Sequence, residues 1–438
     1  MKNSQQETGE FADQVPGLLR ACVVALLGGM AIGVVGAAFR AGLSWMDAHR
    51  EAFTAWARSL GWAGILLPIL MATLGAGLAR LLVRRHPIAA GSGVQHVEGI
   101  MRKEAEPAPL VVVPIKFLGG LLSLGAGLAL GREGPTIQMG ATLGASLARW
   151  FRTTKECLTD LQAALGGAGL AVAFNAPVGG AMFVFEEVAR AFRLRLTVVT
   201  ILGTATAITV ARLILGSAPD FSVKPVLPGG TVDLIFHAIA GAAIGLLGVA
   251  YNRLVILGLD GMEKLRAWPA EMRAAAVGFL VGIVGWFLPH LVGGGDPVSQ
   301  QILDGGVPLG SLLLILVVRW FLGPISYSAG TPGGLFSPLL LVGATLGAIF
   351  AILFNSLGIV ETPLSVVAFA VVGMTSFFTG VVRAPLTGII LISEMTATDT
   401  LMVPMLVACF GAMLTSSLVR GEPIYDTLRH RMIKAGLK

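Results

Sequence analysis

Two acidic positions stand where this sequence is otherwise most apolar. Glu133 lies in Gly131-Arg132-Glu133-Gly134-Pro135, between apolar stretches at 110–130 and 136–150, and Glu187 follows Glu186 at the end of the run AFNAPVGGAMFVFEEV. An ionisable side chain in such surroundings is costly and marks a functional site by default. A carboxylate there can take up and release a proton and, when ionised, can occupy donors that an anion would otherwise fill. The neighbouring segments supply those donors. Gly91-Ser92-Gly93-Val94-Gln95, Gly131 to Pro135, and Gly333-Gly334-Leu335-Phe336-Ser337-Pro338 each interrupt an apolar run and precede a stretch able to form a helix. Proline suits a first helical turn because its missing N–H would be orphaned there anyway, and glycine permits the unusual backbone just before it. Each segment therefore reads as a helix N-terminus, with unpaired N–H groups and the positive end of a helix dipole. Several such ends aimed at one point make an anion site built from partial charges, with no full positive charge to trap the ion.

The elements that must position these residues are membrane helices. Of 438 residues 55% are hydrophobic and 13% charged, against roughly 25% charged in soluble domains. A soluble fold is excluded. Apolar stretches fall at 17–45, 61–83, 110–130, 136–150, 161–187, 196–216, 231–257, 273–294, 308–325, 334–358, 363–380, 384–397 and 400–419. The mean hydropathy of +0.81, in a chain with 58 glycines, places glycine inside apolar helices, where it permits close packing or breaks. The net charge of +6 reads as basic anchors at cytoplasmic loop ends, among them Arg84, Arg85, Arg149, Arg152, Lys155, Arg429, Arg431, Lys434 and Lys438, and not as a nucleic-acid surface. Cys22, Cys157 and Cys409 are too far apart to suggest a disulfide framework or a metal site, and no cofactor motif such as GxxxxGK[ST] or HExxH occurs. Residues 1–16 are polar, unlike a cleavable signal peptide, and are expected to form a cytoplasmic cap.

The chain also repeats itself. Residues 131–145 (GREGPTIQMGATLGA) match 334–348 (GLFSPLLLVGATLGA) at a shift of 203, and 176–186 (APVGGAMFVFE) match 384–394 (APLTGIILISE) at a shift of 208. Two matches in the same order at nearly one offset imply an internal duplication. The division expected is a first repeat over 17–215, a loop-like linker over 216–230, a second repeat over 231–425 and a basic cytoplasmic tail over 426–438. Internal repeats in a membrane chain point to a transporter-type fold with its site near the bilayer midplane. Hydropathy leaves open whether the repeats are inverted.

GSGVQ, GREGP, GGLFSP and the late EPIYDTL, in that order, resemble the four anion-pathway motifs of the CLC chloride channel and transporter family, and the resemblance runs from the first apolar stretch to Tyr425. It implies an all-α integral membrane fold of two inverted-topology repeats whose broken helices meet at a midplane anion site, and a homodimer with one pathway per subunit. By this resemblance Ser92, Tyr425 and the backbone amides of Leu335 and Phe336 bind the anion, Glu133 is the gating and proton-accepting glutamate, and Glu187 is the internal proton relay. Lys116, in PIKFLGG, matches a buried family lysine that could offset the carboxylates. Gly91, Gly93, Gly131, Arg132, Gly134 and Pro135 support the site, and Glu186 is either an ion-pair acid or a helper. Gln95 stands where the family has proline, and Val94 where it has isoleucine.

Having both Glu133 and Glu187 favours coupled exchange: a proton-coupled chloride antiporter, multi-pass in a bacterial inner membrane, not an enzyme, with chloride and protons as transported ions and no cofactor. The rival within the fold is a passive voltage- or pH-gated chloride channel. The rival from another class is an intramembrane hydrolase with Ser92 as nucleophile and His96 as base.

Overall fold

A computed structural model describes residues 2–224, 230–358 and 362–437, with the backbone alone for 2–16. Among the described residues the chain forms seventeen α-helices and no named strand. The first half contains α1 (Lys2–Ser59), α2 (Leu66–Val83), α3 (Val94–Met101), α4 (Val112–Gly125), α5 (Glu133–Trp150), α6 (Lys155–Phe174), α7 (Pro177–Phe183) and α8 (Leu194–Leu215). The second contains α9 (Thr231–Lys264), α10 (Ala270–Phe287), α11 (Asp296–Asp304), α12 (Leu309–Ser328), α13 (Phe336–Ser356), α14 (Val366–Val382), α15 (Pro385–Thr396), α16 (Met402–Leu418) and α17 (Ile424–Lys434). Eight of these elements are long and apolar enough to cross a membrane, and α4, α14, α15 and α16 are shorter apolar helices.

Burial separates the centre from the rim. The apolar windows of α6 and α13 are 89% and 83% buried, whereas that of the span ending at Val83 is 22% buried. α6 and α13 are therefore enclosed by protein, and α2 turns most of its surface outward, as a lipid-facing helix does. Glycine brings the central helices together. A Cβ on Gly140 or Gly144 of α5 would collide with the backbone carbonyls of Leu165 and Leu161 on α6. One on Gly343 or Gly347 of α13 would meet the backbone at Gly373 or Phe369 on α14. These glycines are equivalent in the duplication, so α5–α6 and α13–α14 are the same close-packed pair built twice.

The duplication is visible as structure. Gly131 and its repeat equivalent Gly334 pair with each other antiparallel, N–H to carbonyl at 2.9 and 2.7 Å. Equivalent residues can pair this way only if an approximate twofold axis passes between them. Two more matching breaks confirm it. The run at 161–187, which reads as one apolar stretch, is cut after Asn175 (φ 51°), and its counterpart is cut after Arg383 (φ 72°). In both, a left-handed cap precedes Ala-Pro, and the residue before a proline disfavours helix. The helices that restart, α7 and α15, cap each other. Glu394 accepts from Val178 N (3.1 Å) and Gly179 N (2.7 Å), and Glu186 accepts from Leu386 N (3.0 Å), Thr387 N (2.6 Å) and Thr387 Oγ1 (2.7 Å).

α1 carries helix from Lys2 to Ser59, well past the apolar stretch at 17–45. The junction between 425 and 426 falls inside α17, because Tyr425 sits in that helix's first turn. The linker at 216–230 is anchored at its start: Ser217 and Ala218 carbonyls accept from Asn175 (3.3 and 2.8 Å), and Ser222 exchanges bonds with Gln300 (2.9 and 2.8 Å). Its residues 225–229, like Lys438 of the tail and Met1, lie outside the described residues. Arg429 is no free anchor, being 3% exposed and paired with Glu104 and Asp426.

Candidate functional site

The three glycine segments meet. Gly91 N donates to Thr331 O (3.1 Å), Gly333 N donates to Gly91 O (3.1 Å), and Gly131 pairs with Gly334. These short pairings stitch together the loops that precede α3, α5 and α13, so their N-termini start from one place. Gly91 (φ 61°) and Gly93 (φ 88°) take left-handed conformations that a side chain would resist. Ser123 Oγ donates to Pro332 O (2.6 Å), and Ala129 N donates to Ser326 Oγ (3.0 Å), fixing the loops from behind. Lys116 does the same with a charge. Fully buried, its Nζ donates to Gly91 O (2.7 Å) and Ser92 O (3.1 Å), so it holds carbonyls and not the carboxylates.

Glu133 occupies the junction. It is fully buried, its Oε1 accepts from Phe336 N at 2.6 Å, and its Oε2 accepts from Ser337 Oγ at 3.4 Å. The carboxylate thus sits on a backbone donor at the N-terminus of α13. Beside it, Ser92 Oγ and the Tyr425 hydroxyl are fully buried and have no hydrogen-bond partner. The Tyr425 ring stacks against Phe336 at 6.0 Å, and Phe174, Phe183 and Phe378 close around that phenylalanine. Leu335, also fully buried, is the residue immediately before α13. Buried hydroxyls without partners cost free energy unless something accepts their protons. Here they form a neutral, donor-rich site walled by aromatic rings, which suits a monovalent anion. Gly134 leaves room for this, since a Cβ there would lie 2.6 Å from Ser92 Oγ. Pro135, in the first turn of α5, is buried.

The two ends of the site differ. Towards one end Arg132 donates to Ala173 O (2.8 Å) and pairs with Asp220 (2.7 Å) and Asp296 (3.3 Å), while Asp220 also pairs with Arg40. The opening there is a crevice of about 30 Å³ lined by Asp47, Arg132, Asp296 and Ser337 among others. At the other end a cavity of about 460 Å³ is lined by Phe185, Glu186, Glu187, Arg190, Phe192 and Arg383. Glu187 is 1% exposed and lies 3.5 Å from Arg190, which pairs with Asp426 at 3.0 Å. Burial raises the Asp426 pKa, but hydrogen bonds from Arg429 and Arg190 outweigh it and hold the carboxyl below its ordinary range. Glu98 is fully buried nearby with neither oxygen hydrogen-bonded, and Arg429 Nε lies 3.9 Å away.

Sequence reasoning left the role of Glu186 open between an ion-pair acid and a helper. The five-residue π-helical turn Val184–Val188 aims Glu186 at α15 and Glu187 at the Arg190 side. Reasoning from the chain alone also missed Ser337, Glu98, Asp220 and Tyr327. Ser337 lay inside a flagged motif; the others carry no local signal. The Tyr327 hydroxyl accepts from Ser92 N at 3.4 Å. His96 does not face Ser92: its Nε2 contacts Glu106 O (3.0 Å) and its Nδ1 contacts Gln138 (3.4 Å). That arrangement lacks the nucleophile–base pair a hydrolase needs. Gln95 Oε1 is buried without a partner in the first turn of α3.

Comparison with known proteins agrees with this architecture. Residues 75–417 match the family model described as voltage gated chloride channel. The H(+)/Cl(-) exchange transporter ClcA of Salmonella paratyphi B is 34% identical over 435 residues, covering 95% of this chain and 88% of that protein. The solved structure of a slow cyanobacterial Cl-/H+ antiporter superposes with a TM-score of 0.90 at 31% identity, covering 95% of this chain and 98% of that one. A CLC-type fluoride/proton antiporter shares the fold at a TM-score of 0.77 and 22% identity, over 93% and 97% of the two chains. With the family model spanning more than half the chain, over the same helix breaks that build the buried site, this protein belongs to the voltage-gated chloride channel family.

Proposed function

We propose that this protein exchanges chloride for protons. The observation that carries the reading is the Glu133 carboxylate seated on the Phe336 amide, next to two unpartnered buried hydroxyls. An ionised carboxylate and an anion compete for such a donor, and like charges so close repel. Chloride held by Ser92 Oγ, the Tyr425 hydroxyl and the amides of Leu335 and Phe336 therefore displaces Glu133, and protonation releases the side chain by removing its charge. Glu187, enclosed beside the wider cavity, is the second proton-carrying group, and Arg190 with Asp426 sets the charge around it. Lys116, Arg132 and the glycines at 91, 93, 131 and 134 with Pro135 hold the loops in place. Glu186 is assigned to capping α15, outside the proton path.

The reading extends to a secondary transporter in a bacterial inner membrane, acting as a homodimer, with repeats over 17–215 and 231–425 joined by the linker at 216–230. The arginines on that face, Arg190, Arg193, Arg195, Arg429 and Arg431, support a cytoplasmic side for the wide cavity. The names of the relatives support chloride as the anion, and the narrow crevice at the Arg132 end fits a gated exchanger better than an open pore. Proteoliposomes loaded with chloride decide the matter. Outward chloride flow should drive protons inward against their gradient, and Glu187→Gln should keep the chloride flux while abolishing proton movement. Chloride flow in the unmodified protein with no proton uptake would make it a passive channel.

A further inference from the structure

We propose that Asp220, in the segment between the two halves, keeps the narrow end of the pathway from trapping chloride by cancelling the charge of Arg132. The inference rests on the reading of Ser92, Tyr425 and the α13 amides as the anion site, and it adds a positioning residue that no motif marks. Arg132 immediately precedes α5, and it is the one cation among the described residues that line the narrow crevice. Ser337 lines the same crevice and its hydroxyl donates to Glu133 at 3.4 Å, so the crevice reaches the gating carboxylate. The arginine serves there as a tie: its Nε donates to Ala173 O (2.8 Å), joining the start of α5 to the last turn of α6. A full positive charge beside an anion path holds the ion too tightly to release it. The tie therefore needs a counter-ion, and two carboxylates supply one. Asp220 lies 2.7 Å from the guanidinium with its side chain 4% exposed, whereas Asp296 lies at 3.3 Å and is 37% exposed. Closer and less screened by water, Asp220 is the stronger of the two.

Asp220 is held in place by more than Arg132. Its other oxygen pairs with Arg40 of α1, and the chain on either side of it is fastened to both halves. Asn175 Nδ2 donates to the Ser217 and Ala218 carbonyls (3.3 and 2.8 Å), Phe221 N donates to Met395 O (2.9 Å), and Ser222 exchanges bonds with Gln300. Phe221 is itself buried in the core. An asparagine at position 220 should therefore stay where the aspartate stood, so that charge changes with little change of shape. Arg40 gives the opposite perturbation: replacing it with glutamine leaves Asp220 to Arg132 alone and makes the same region one unit more negative.

The test is isothermal titration of chloride, at fixed ionic strength, into the purified full-length Glu133→Gln protein, in which no ionised carboxylate competes for the site. The same titration is made with Asp220→Asn, Arg40→Gln or both added. Asp220→Asn should tighten chloride binding and Arg40→Gln should weaken it, each by roughly three- to tenfold, and the double variant should return close to the starting affinity. Both single substitutions break the same Arg40–Asp220 pair. A loosened segment would therefore move the two affinities in one direction, whereas charge moves them in opposite directions. Shifts of the same sign, or no shift in either single variant, overturn the inference. If the Glu133→Gln protein binds no chloride, this inference and the anion-site reading fall together. If it binds chloride and the signs agree, only this inference falls.

Discussion

Gly131→Ala should open the gate without touching the glutamate. A Cβ built on Gly131 would collide with the Glu133 carboxyl, whose two oxygens and carbon are its three nearest atoms. Those oxygens are the far end of a flexible side chain, and Gly131 has no left-handed φ that alanine would resist. The backbone pairing of Gly131 with Gly334 uses only N–H and carbonyl groups and survives the substitution. What yields is the Glu133 seat on Phe336 N, a 2.6 Å bond from a backbone amide to a charged acceptor. Such a bond contributes about 1.5–3 kcal/mol, so losing it should tighten apparent chloride binding at the Phe336 amide by roughly 10- to 150-fold. Chloride titration near neutral pH measures the first effect, and paired chloride and proton fluxes in proteoliposomes measure the second: more chloride moved per proton. Gly134→Ala is the contrast, since its Cβ would press on Ser92 Cα and O at 2.8 Å, backbone that cannot step aside; this variant should lose thermal stability. The reasoning fails if Gly131→Ala folds normally yet keeps both the affinity and the proton-to-chloride ratio of the parent.

Other expectations follow from the same geometry. Glu133→Gln should abolish proton uptake while leaving chloride flux, and intact coupling in this variant would remove Glu133 from the proton path. Glu186→Gln and Glu394→Gln should each lower the melting temperature in detergent by similar amounts, because each carboxylate satisfies two backbone donors at a helix start; a large loss of proton coupling in Glu186→Gln alone would contradict its capping role. Asp426→Asn should destabilise the protein at pH 7. The folded-state pKa of Asp426 is lowered, so its contribution is present above the ordinary aspartate pKa and fades as pH falls through the lowered value. The difference in melting temperature between this variant and the parent should therefore shrink in strong acid, and a difference that grows there would show the ion pairs to be unimportant.

Much of this protein follows from local chemistry, and the sequence alone determined it. Charge-poor apolar stretches require membrane helices, the Gly-rich segments at 91–95, 131–135 and 333–338 require helix starts, and the matched GATLGA segments require a duplicated fold. Each of these depends on neighbours a few residues apart, where propensity and spacing act directly. Tertiary structure decided the rest, because the decisive partners lie hundreds of residues away or on another face of the same turn. Glu186 and Glu187 are adjacent and chemically identical, yet one caps α15 across 200 residues of chain and the other faces Arg190. Lys116 finds two carbonyls in place of a carboxylate. Tyr327 reaches Ser92 across 235 positions with no local signal at all. Sequence spacing sets which groups can exist at a helix end, but only packing sets which of them face the same buried space.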